Sequence, residues 1–171
     1  MAGRGLQANQ AAPRDGSNRA HILIIDAPYY DTISDALLAG AMAELEATGA
    51  TSERIVVPGA LEIPLALAQA AKAGLIPGHR DRARFDGCVA LGCVIRGETT
   101  HYDTVCINAN HWLMDIATRH AIPLGNAILT VETEAQALER ARGDREGKGA
   151  GAVRACLTLI EHARAFAKER A

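Results

Sequence analysis

Residues 97–101, Gly-Glu-Thr-Thr-His, combine residue types that can bind an anion and move a proton. They follow the apolar residues 85–95, which predict a buried strand, and they precede residues with helical spacing. A strand that turns directly into a helix presents backbone N–H groups at the helix N-terminus, where an anion such as phosphate is favoured. Thr99 and Thr100 add hydroxyl donors, and His101 can exchange a proton near neutral pH. A capped helix start beside a surface histidine explains the same pattern.

A second candidate segment reads Val-Pro-Gly-Ala-Leu-Glu-Ile-Pro in residues 57–64. Residues 59–62 could present backbone groups and a carboxylate to a flat polar ring, although a Pro-Gly turn into a helix is the plainer interpretation. Tyr29 could stack on such a ring or pack in the core or at its rim. Arg140 and Lys148, taken alone, are typical of solvated helix and loop charges.

The elements that must position these residues alternate between strands and helices. Apolar runs predict strands in residues 21–28, 53–58, 85–95 and 125–131. Helical spacing predicts helices in residues 32–50, 59–74, 102–121, 134–142 and 152–170, with a charged loop in residues 143–151. This order predicts an α/β fold with a parallel sheet and helices on both faces. Ligands in such sheets bind beyond the carboxyl ends of the strands, where both candidate segments fall.

Several residues mark the predicted helix ends. Gly49 is the expected stop of the first helix. Thr100 with Asp103, and Thr133 with Gln136, have the spacing of a capping box at a helix start. The second helix is apolar nearly all round, so we expect it to be buried or to face another subunit.

Composition and charge limit the classes of function. The chain has 171 residues, a net charge of −2 and 4% aromatic residues, which suits one domain with an aliphatic core and argues against a nucleic-acid partner. No apolar run is long enough for a transmembrane helix, and residues 1–20 lack the apolar stretch of a secretion signal. We interpret residues 1–20 as a flexible arm and residues 21–171 as a single domain, with no membrane partner and a cytoplasmic location.

The four cysteines do not indicate a zinc site. Cys88, Cys93, Cys106 and Cys156 form no C-x-x-C pair. Cys88 and Cys93 lie five residues apart on one predicted strand, so their side chains point to opposite faces. Buried, reduced thiols are therefore expected.

Together these segments resemble the lumazine synthase family of riboflavin biosynthesis. Residues 57–64 resemble the family's Val-Pro-Gly-Ala segment, and residues 92–106, GCVIRGETTHYDTVC, resemble its histidine segment. The resemblance extends from about Ile22 to about Ala163. It implies a flavodoxin-like three-layer α/β/α sandwich with a four-stranded parallel sheet, which agrees with the predicted order of elements.

The resemblance also implies the reaction. Members are transferases that condense 5-amino-6-ribitylamino-2,4-pyrimidinedione with 3,4-dihydroxy-2-butanone 4-phosphate to give 6,7-dimethyl-8-ribityllumazine, phosphate and water, the penultimate step of the pathway. No cofactor or metal is implied. Members form homopentamers, some of which stack into larger shells, and a functional link to riboflavin synthase is implied. Residues 142–149, RGDREGKG, depart from the turn of shell-forming members, so we expect a free pentamer.

The family's functional residues transfer to this sequence by motif. Tyr29 falls where an aromatic residue stacks on the pyrimidine ring, and His101 falls where a histidine transfers protons. The positions that bind the ring and the ribityl chain are Ala60, Leu61, Glu62, Cys93, Val94 and Ile95. The positions that bind phosphate are Gly97, Glu98 and Thr99, together with Arg140 from the neighbouring subunit and Lys148 nearby.

Two positions depart from the family pattern and keep an alternative open. Asn126 stands where many members have an aromatic residue that covers the ring from the neighbouring subunit, and Pro28 replaces a polar or basic residue. The alternative is a non-enzymatic flavin- or lumazine-binding paralogue on the same fold. A receiver-type signalling domain shares the fold type, but it would need an acceptor aspartate at the end of the third strand, where this chain has Ile95 and Arg96.

Overall fold

The computed structural model describes residues 19–77 and 83–169, so residues 1–18 of the predicted arm lie outside the described residues. The strands are β1 (His21–Asp26), β2 (Thr51–Val56), β3 (Gly87–Ile95) and β4 (Leu124–Val131). The helices are α1 (Asp31–Thr48), α2 (Glu62–Lys72), α3 (His101–Arg119), α4 (Glu134–Ala141) and α5 (Lys148–Lys168). The four strands are parallel in the order β2-β1-β3-β4, which confirms the predicted α/β fold.

The sheet is the middle of three layers. Helices α1, α4 and α5 pack on one face, and α2 and α3 pack on the other. Side chains of β3 alternate between the two cores, with Val89 and Leu91 on the α1 side and Cys88 and Ala90 on the α3 side. Cys93 belongs to the α1 side, so the prediction that Cys88 and Cys93 point to opposite faces is confirmed. All four cysteines are free thiols.

Register with β1 fixes the position of β2. The predicted strand, residues 53–58, begins two residues late and ends two residues late, because His21 pairs with Thr51 and Asp26 pairs with Val56. Proline has no backbone N–H for a sheet ladder, and Pro58 lies beyond the strand end. The chain therefore leaves the sheet before the turn that leads to α2.

The start of α5 corrects the prediction of a loop in residues 143–151. The helix begins at Lys148, and both Gly149 and Ala150 are buried. A Cβ atom placed on Gly149 would lie 2.0 Å from the carbonyl oxygen of Leu37 in α1. Glycine at this position therefore allows two helix backbones to approach closely, rather than ending a helix.

Predicted helix ends are partly confirmed. Gly49 closes α1 with a left-handed φ of 70°. At the start of α4, the Thr133 hydroxyl accepts a hydrogen bond from the Gln136 N–H at 3.3 Å, as the predicted capping box requires. The capping box predicted for α3 is wrong: Thr100 has helical φ and ψ of −67° and −3°, and its side chain makes no capping hydrogen bond within the described part of the chain. The Asp103 carboxylate binds Arg96 instead.

Several large apolar side chains remain exposed on the α2–α3 face. Leu65 on α2 is 61% exposed, so α2 is not buried on all sides within one chain. Contact of α2 with another subunit stays a prediction. On α3, Ile107, Trp112 and Met114 are each at least half exposed. Within residues 19–77 and 83–169, no helix is long and apolar enough to cross a membrane.

Candidate active site

A cavity of about 420 Å³ opens at the carboxyl edge of the sheet, where β1, β2 and β3 turn into the helices that follow them. This is the edge at which parallel α/β sheets bind ligands. Fifteen of the described residues line it: Tyr29, Tyr30, Pro58, Gly59, Ala60, Leu61, Glu62, Cys93, Val94, Ile95, Gly97, Thr99, His101, Tyr102 and Val105. The cavity therefore joins both segments that the sequence indicated.

The last residues of β3 form part of the cavity wall. Cys93 is buried, and Val94 and Ile95 are half-buried. Burial raises the pKa of the Cys93 thiol to about 11, with a smaller contribution from Cys106. The thiol therefore stays protonated near neutral pH, and Cys93 offers the cavity a small apolar surface rather than a nucleophile.

The turn between β2 and α2 forms a second wall. The Glu62 N–H donates to the carbonyl oxygen of Gly59 at 3.1 Å, and the Ile63 N–H donates to that of Ala60 at 3.3 Å. This is the Pro-Gly turn into a helix that the sequence indicated, and the same turn lines the cavity. The structural and the ligand-binding interpretations of this segment are therefore compatible.

Aromatic rings border the cavity on two sides. Tyr29 is 70% exposed, which excludes the interpretation of this ring as a core residue. Its ring contacts Tyr30 edge-on, with 5.0 Å between centroids. Sequence reasoning missed Tyr30 and Tyr102, and also Pro58 and Val105. The available signal was adjacency, because Tyr30 and Tyr102 directly follow predicted site residues.

The turn between β3 and α3 carries the residues with the clearest chemistry. The backbone N–H of His101 donates to the Thr99 hydroxyl at 3.4 Å, and His101 is the first residue of α3. A Cβ atom placed on Gly97 would meet no described atom within 4 Å, so the backbone is open on that side. Gly97, Thr99 and His101 all line the cavity, whereas Glu98 is exposed and is not among the described lining residues. The open backbone and the helix start suit an anion.

Three predicted site residues lie away from the cavity of their own chain. Arg140 is exposed near the end of α4, where its Nη1 donates to the Gln136 carbonyl oxygen at 3.0 Å. Lys148 is exposed at the start of α5. Asn126 lies on β4, where its Nδ2 donates to the Asn110 Oδ1 at 2.7 Å. None of the three is among the described lining residues, so a role for them in such a site requires a second copy of the chain.

Known proteins match this chain over most of its length. The family model for 6,7-dimethyl-8-ribityllumazine synthase matches residues 19–164. The chain is 52% identical over 141 residues to the 6,7-dimethyl-8-ribityllumazine synthase of Azorhizobium caulinodans, covering 82% of this chain and 85% of that protein. It is 48% identical over 157 residues to the protein of the same name from Xanthobacter autotrophicus, covering 92% and 93%. The protein of that name from Methylocella silvestris is 53% identical over 144 residues, covering 82% and 83%.

Proposed function

The chain belongs to the 6,7-dimethyl-8-ribityllumazine synthase family, and we propose that it condenses 5-amino-6-ribitylamino-2,4-pyrimidinedione with 3,4-dihydroxy-2-butanone 4-phosphate. The product is 6,7-dimethyl-8-ribityllumazine, the penultimate compound of riboflavin biosynthesis. The observation that carries the proposal is that the 59–62 turn, Gly97, Thr99 and His101 line one cavity. No feature of the described residues favours the non-catalytic paralogue.

The walls of the cavity suggest where each substrate binds. Its volume of about 420 Å³ lies within the range of small-molecule sites. We place the pyrimidine ring between Tyr29 and the end of β3, with the 59–62 turn and the Glu62 carboxylate against its polar edge. The phosphate of the ketone binds at residues 97–99, where the backbone is open and the dipole of α3 favours an anion.

The chemistry needs positioning and proton transfer more than a nucleophilic side chain. A primary amine of the pyrimidine attacks the ketone and loses water to form an imine. Elimination of phosphate converts the neighbouring hydroxyl-bearing carbon into a carbonyl, and the second nitrogen attacks that carbonyl and loses a second water to close the ring. Protons move at each stage, and His101 is placed beside the phosphate turn to relay them. Holding two small substrates together contributes up to ~7–11 kcal/mol in favourable systems.

A ring of five subunits with sites shared between neighbours is part of this proposal. Arg140 and Lys148 are exposed and are not among the described residues that line their own cavity, so in this proposal they reach phosphate from an adjacent chain. The exposed apolar side chains Leu65, Ile107 and Trp112 supply a surface that such contacts would bury. A head-to-tail ring makes each contact heterologous, with His101 from one subunit and Arg140 from the next. A cytoplasmic location and a functional link to riboflavin synthase stay predictions.

A two-substrate assay tests the activity. Purified protein is mixed with both substrates, and lumazine absorbance is followed against a sample that lacks the phosphorylated ketone. We expect product only in the complete mixture. Protein that binds lumazine or flavin tightly but forms no product would instead be the non-catalytic paralogue.

Complementation tests the shared site. We expect two inactive variants, His101→Ala and Arg140→Ala, to regain activity when they are co-expressed. Random mixing gives about a quarter of contacts with both native halves, because each contact draws independently on two subunits. Mixed assemblies no more active than either parent would place each site within one chain. A sedimentation mass near that of a monomer would exclude the ring.

A further inference from the structure

Arg96 lies between the end of β3 and the proposed phosphate turn, but its side chain is held by other protein groups. Its Nε donates to the Glu132 carboxylate at 2.8 Å, and its Nη2 and Nη1 donate to the two Asp103 carboxylate oxygens at 3.2 and 3.4 Å. The guanidinium carbon also lies 4.1 Å from the centroid of the Tyr102 ring. One side chain thus joins the end of β3, the residue after β4 and the first turn of α3.

We infer that Arg96 is a positioning residue that fixes the first turn of α3, and with it His101, relative to the floor of the cavity. This inference rests on the proposed function, because it assigns Arg96 a part in placing the proton-transferring histidine. Arg96 acts through Asp103 and Tyr102 and does not bind phosphate itself.

In the described part of the chain, Thr100 provides no capping hydrogen bond at the start of α3, so another contact must hold the first turn of this helix. Thr100, at the position before the helix, is itself helical and makes no capping hydrogen bond within the described residues. Side-chain capping usually holds the first turn of a helix and satisfies its N–H groups. Here the Arg96 guanidinium binds the carboxylate of the third residue of the helix, Asp103, whereas the His101 N–H donates to the Thr99 hydroxyl.

The geometry of the fork separates positioning from phosphate binding. A guanidinium binds a planar anion through paired donors, and the Arg96 donors already contact two carboxylates. The hydrogen bond with Asp103, and then that with Glu132, raise the pKa of Arg96, which therefore stays charged. With two carboxylates around one guanidinium, the group as a whole does not add positive charge for a phosphate.

The exposure of Arg96, Asp103 and Glu132 predicts how the loss of their contacts would affect stability and turnover. The side chain of Arg96 is 39% exposed, and those of Asp103 and Glu132 are 50% and 57% exposed. Exposed ion pairs contribute little to stability, so unfolding should respond weakly to their removal. A small displacement of a catalytic group, by contrast, can lower turnover by up to about 100-fold.

The test measures turnover and both Michaelis constants for Arg96→Gln and Arg96→Lys, in parallel with thermal unfolding and subunit mass. We expect Arg96→Gln to lower kcat about 10- to 100-fold, with both KM values changed less than about threefold. Arg96→Lys should recover part of kcat, because it keeps the charge and loses the fork. Arg119→Gln is the matched control: it breaks an exposed Arg119–Asp115 pair of 2.8 Å at the far end of α3 and should leave kcat unchanged.

Two further variants decide the question even if Arg96→Gln fails to fold. Asp103→Asn and Glu132→Gln each keep Arg96 and weaken one of its two carboxylate contacts, and each should lower kcat. An unchanged kcat in both would overturn the inference, as would an increase in KM for the phosphorylated ketone alone, which would make Arg96 a phosphate ligand. If the wild-type protein forms no lumazine, both this inference and the proposed function fail. An active wild type with unaffected variants removes only the positioning role.

Discussion

Helices α3 and α4 both begin after a threonine with a potential capping partner three residues later, yet only α4 uses it. Thr133 has extended φ and ψ, and its hydroxyl accepts the Gln136 N–H. The Gln136 Oε1 in turn accepts a hydrogen bond from the Glu132 N–H at 2.9 Å. Thr100 has the same spacing, but it is helical and uncapped within the described residues.

The difference follows from what each helix start faces. The start of α4 is exposed and away from the described lining of the cavity, so its own side chains satisfy its backbone. The start of α3 lines the cavity, where Thr100 is itself helical and the Thr99 hydroxyl accepts the His101 N–H. The same local sequence pattern therefore forms a cap at the exposed start of α4 but not at the start of α3, which lines the cavity.

The largest expected effect comes from removing His101 at the start of α3. We expect His101→Ala to lower kcat ~10²–10⁴-fold, the usual contribution of a proton-transferring group, with much smaller changes in KM. Steady-state kinetics with both substrates measure it. The control is His162→Ala on α5, where the exposed ring stacks on Phe166 at 6.1 Å. An unchanged kcat in His101→Ala would remove this residue from the mechanism.

The next prediction concerns Arg140, in the last turn of α4. A lysine cannot reproduce the paired donors with which arginine holds phosphate. We expect Arg140→Lys to raise KM for the phosphorylated ketone about tenfold, with a smaller effect on the pyrimidine. Arg142→Lys, at an exposed neighbour that pairs with Asp144, is the control. Equal effects of Arg140→Lys on both substrates would contradict a phosphate contact.

Alanine variants of Thr133 and Thr100 test whether the starts of α4 and α3 differ as described. Thr133→Ala removes a formed cap and should lower the free energy of unfolding by about 1 kcal/mol, with kcat unchanged. Thr100→Ala removes no cap, so it should cost less stability. Denaturant unfolding and kinetics of both variants measure the two effects. Equal losses of stability would show that the two helix starts do not differ as described.

The last prediction concerns stability rather than turnover, on the α1–α5 side of the molecule. Glu44 is 2% exposed and contacts Arg145 at 2.8 Å and Arg154 at 2.9 Å. The hydrogen bond from Arg145 lowers the pKa of Glu44 below its ordinary value of about 4.3 despite burial. The stabilisation is therefore complete above that ordinary value and is lost as the pH falls through the lower pKa of the folded state.

We expect Glu44→Gln to flatten the decline of the free energy of unfolding in this acid range. Unfolding measured from about pH 6 to about pH 3 tests it, with the exposed Glu161→Gln as control. A variant with the pH dependence of the wild type would exclude Glu44 as a source of the acid sensitivity.

The sequence by itself determined the elements and the edge of the sheet at which the site lies. Periodicity and β-branched runs are local properties, so they predicted each strand and each helix. For example, Ile33, Leu37, Ala41 and Leu45 share one face of α1 and are all buried. Because the strands are parallel, their carboxyl ends meet, and that brought Tyr29, residues 59–62 and His101 to one cavity.

Only the tertiary structure decided the features that depend on distant contacts. Gly149 continues a helix because the backbone of Leu37 lies against it, although a glycine-rich charged segment favours a loop. The Asp103 carboxylate binds Arg96 rather than capping α3, and the Arg96 fork also needs Glu132, which lies 36 residues further along the chain. Spacing along a sequence predicts which groups could pair locally, whereas the packing of β3, β4 and α3 against one another decides which partner each group contacts.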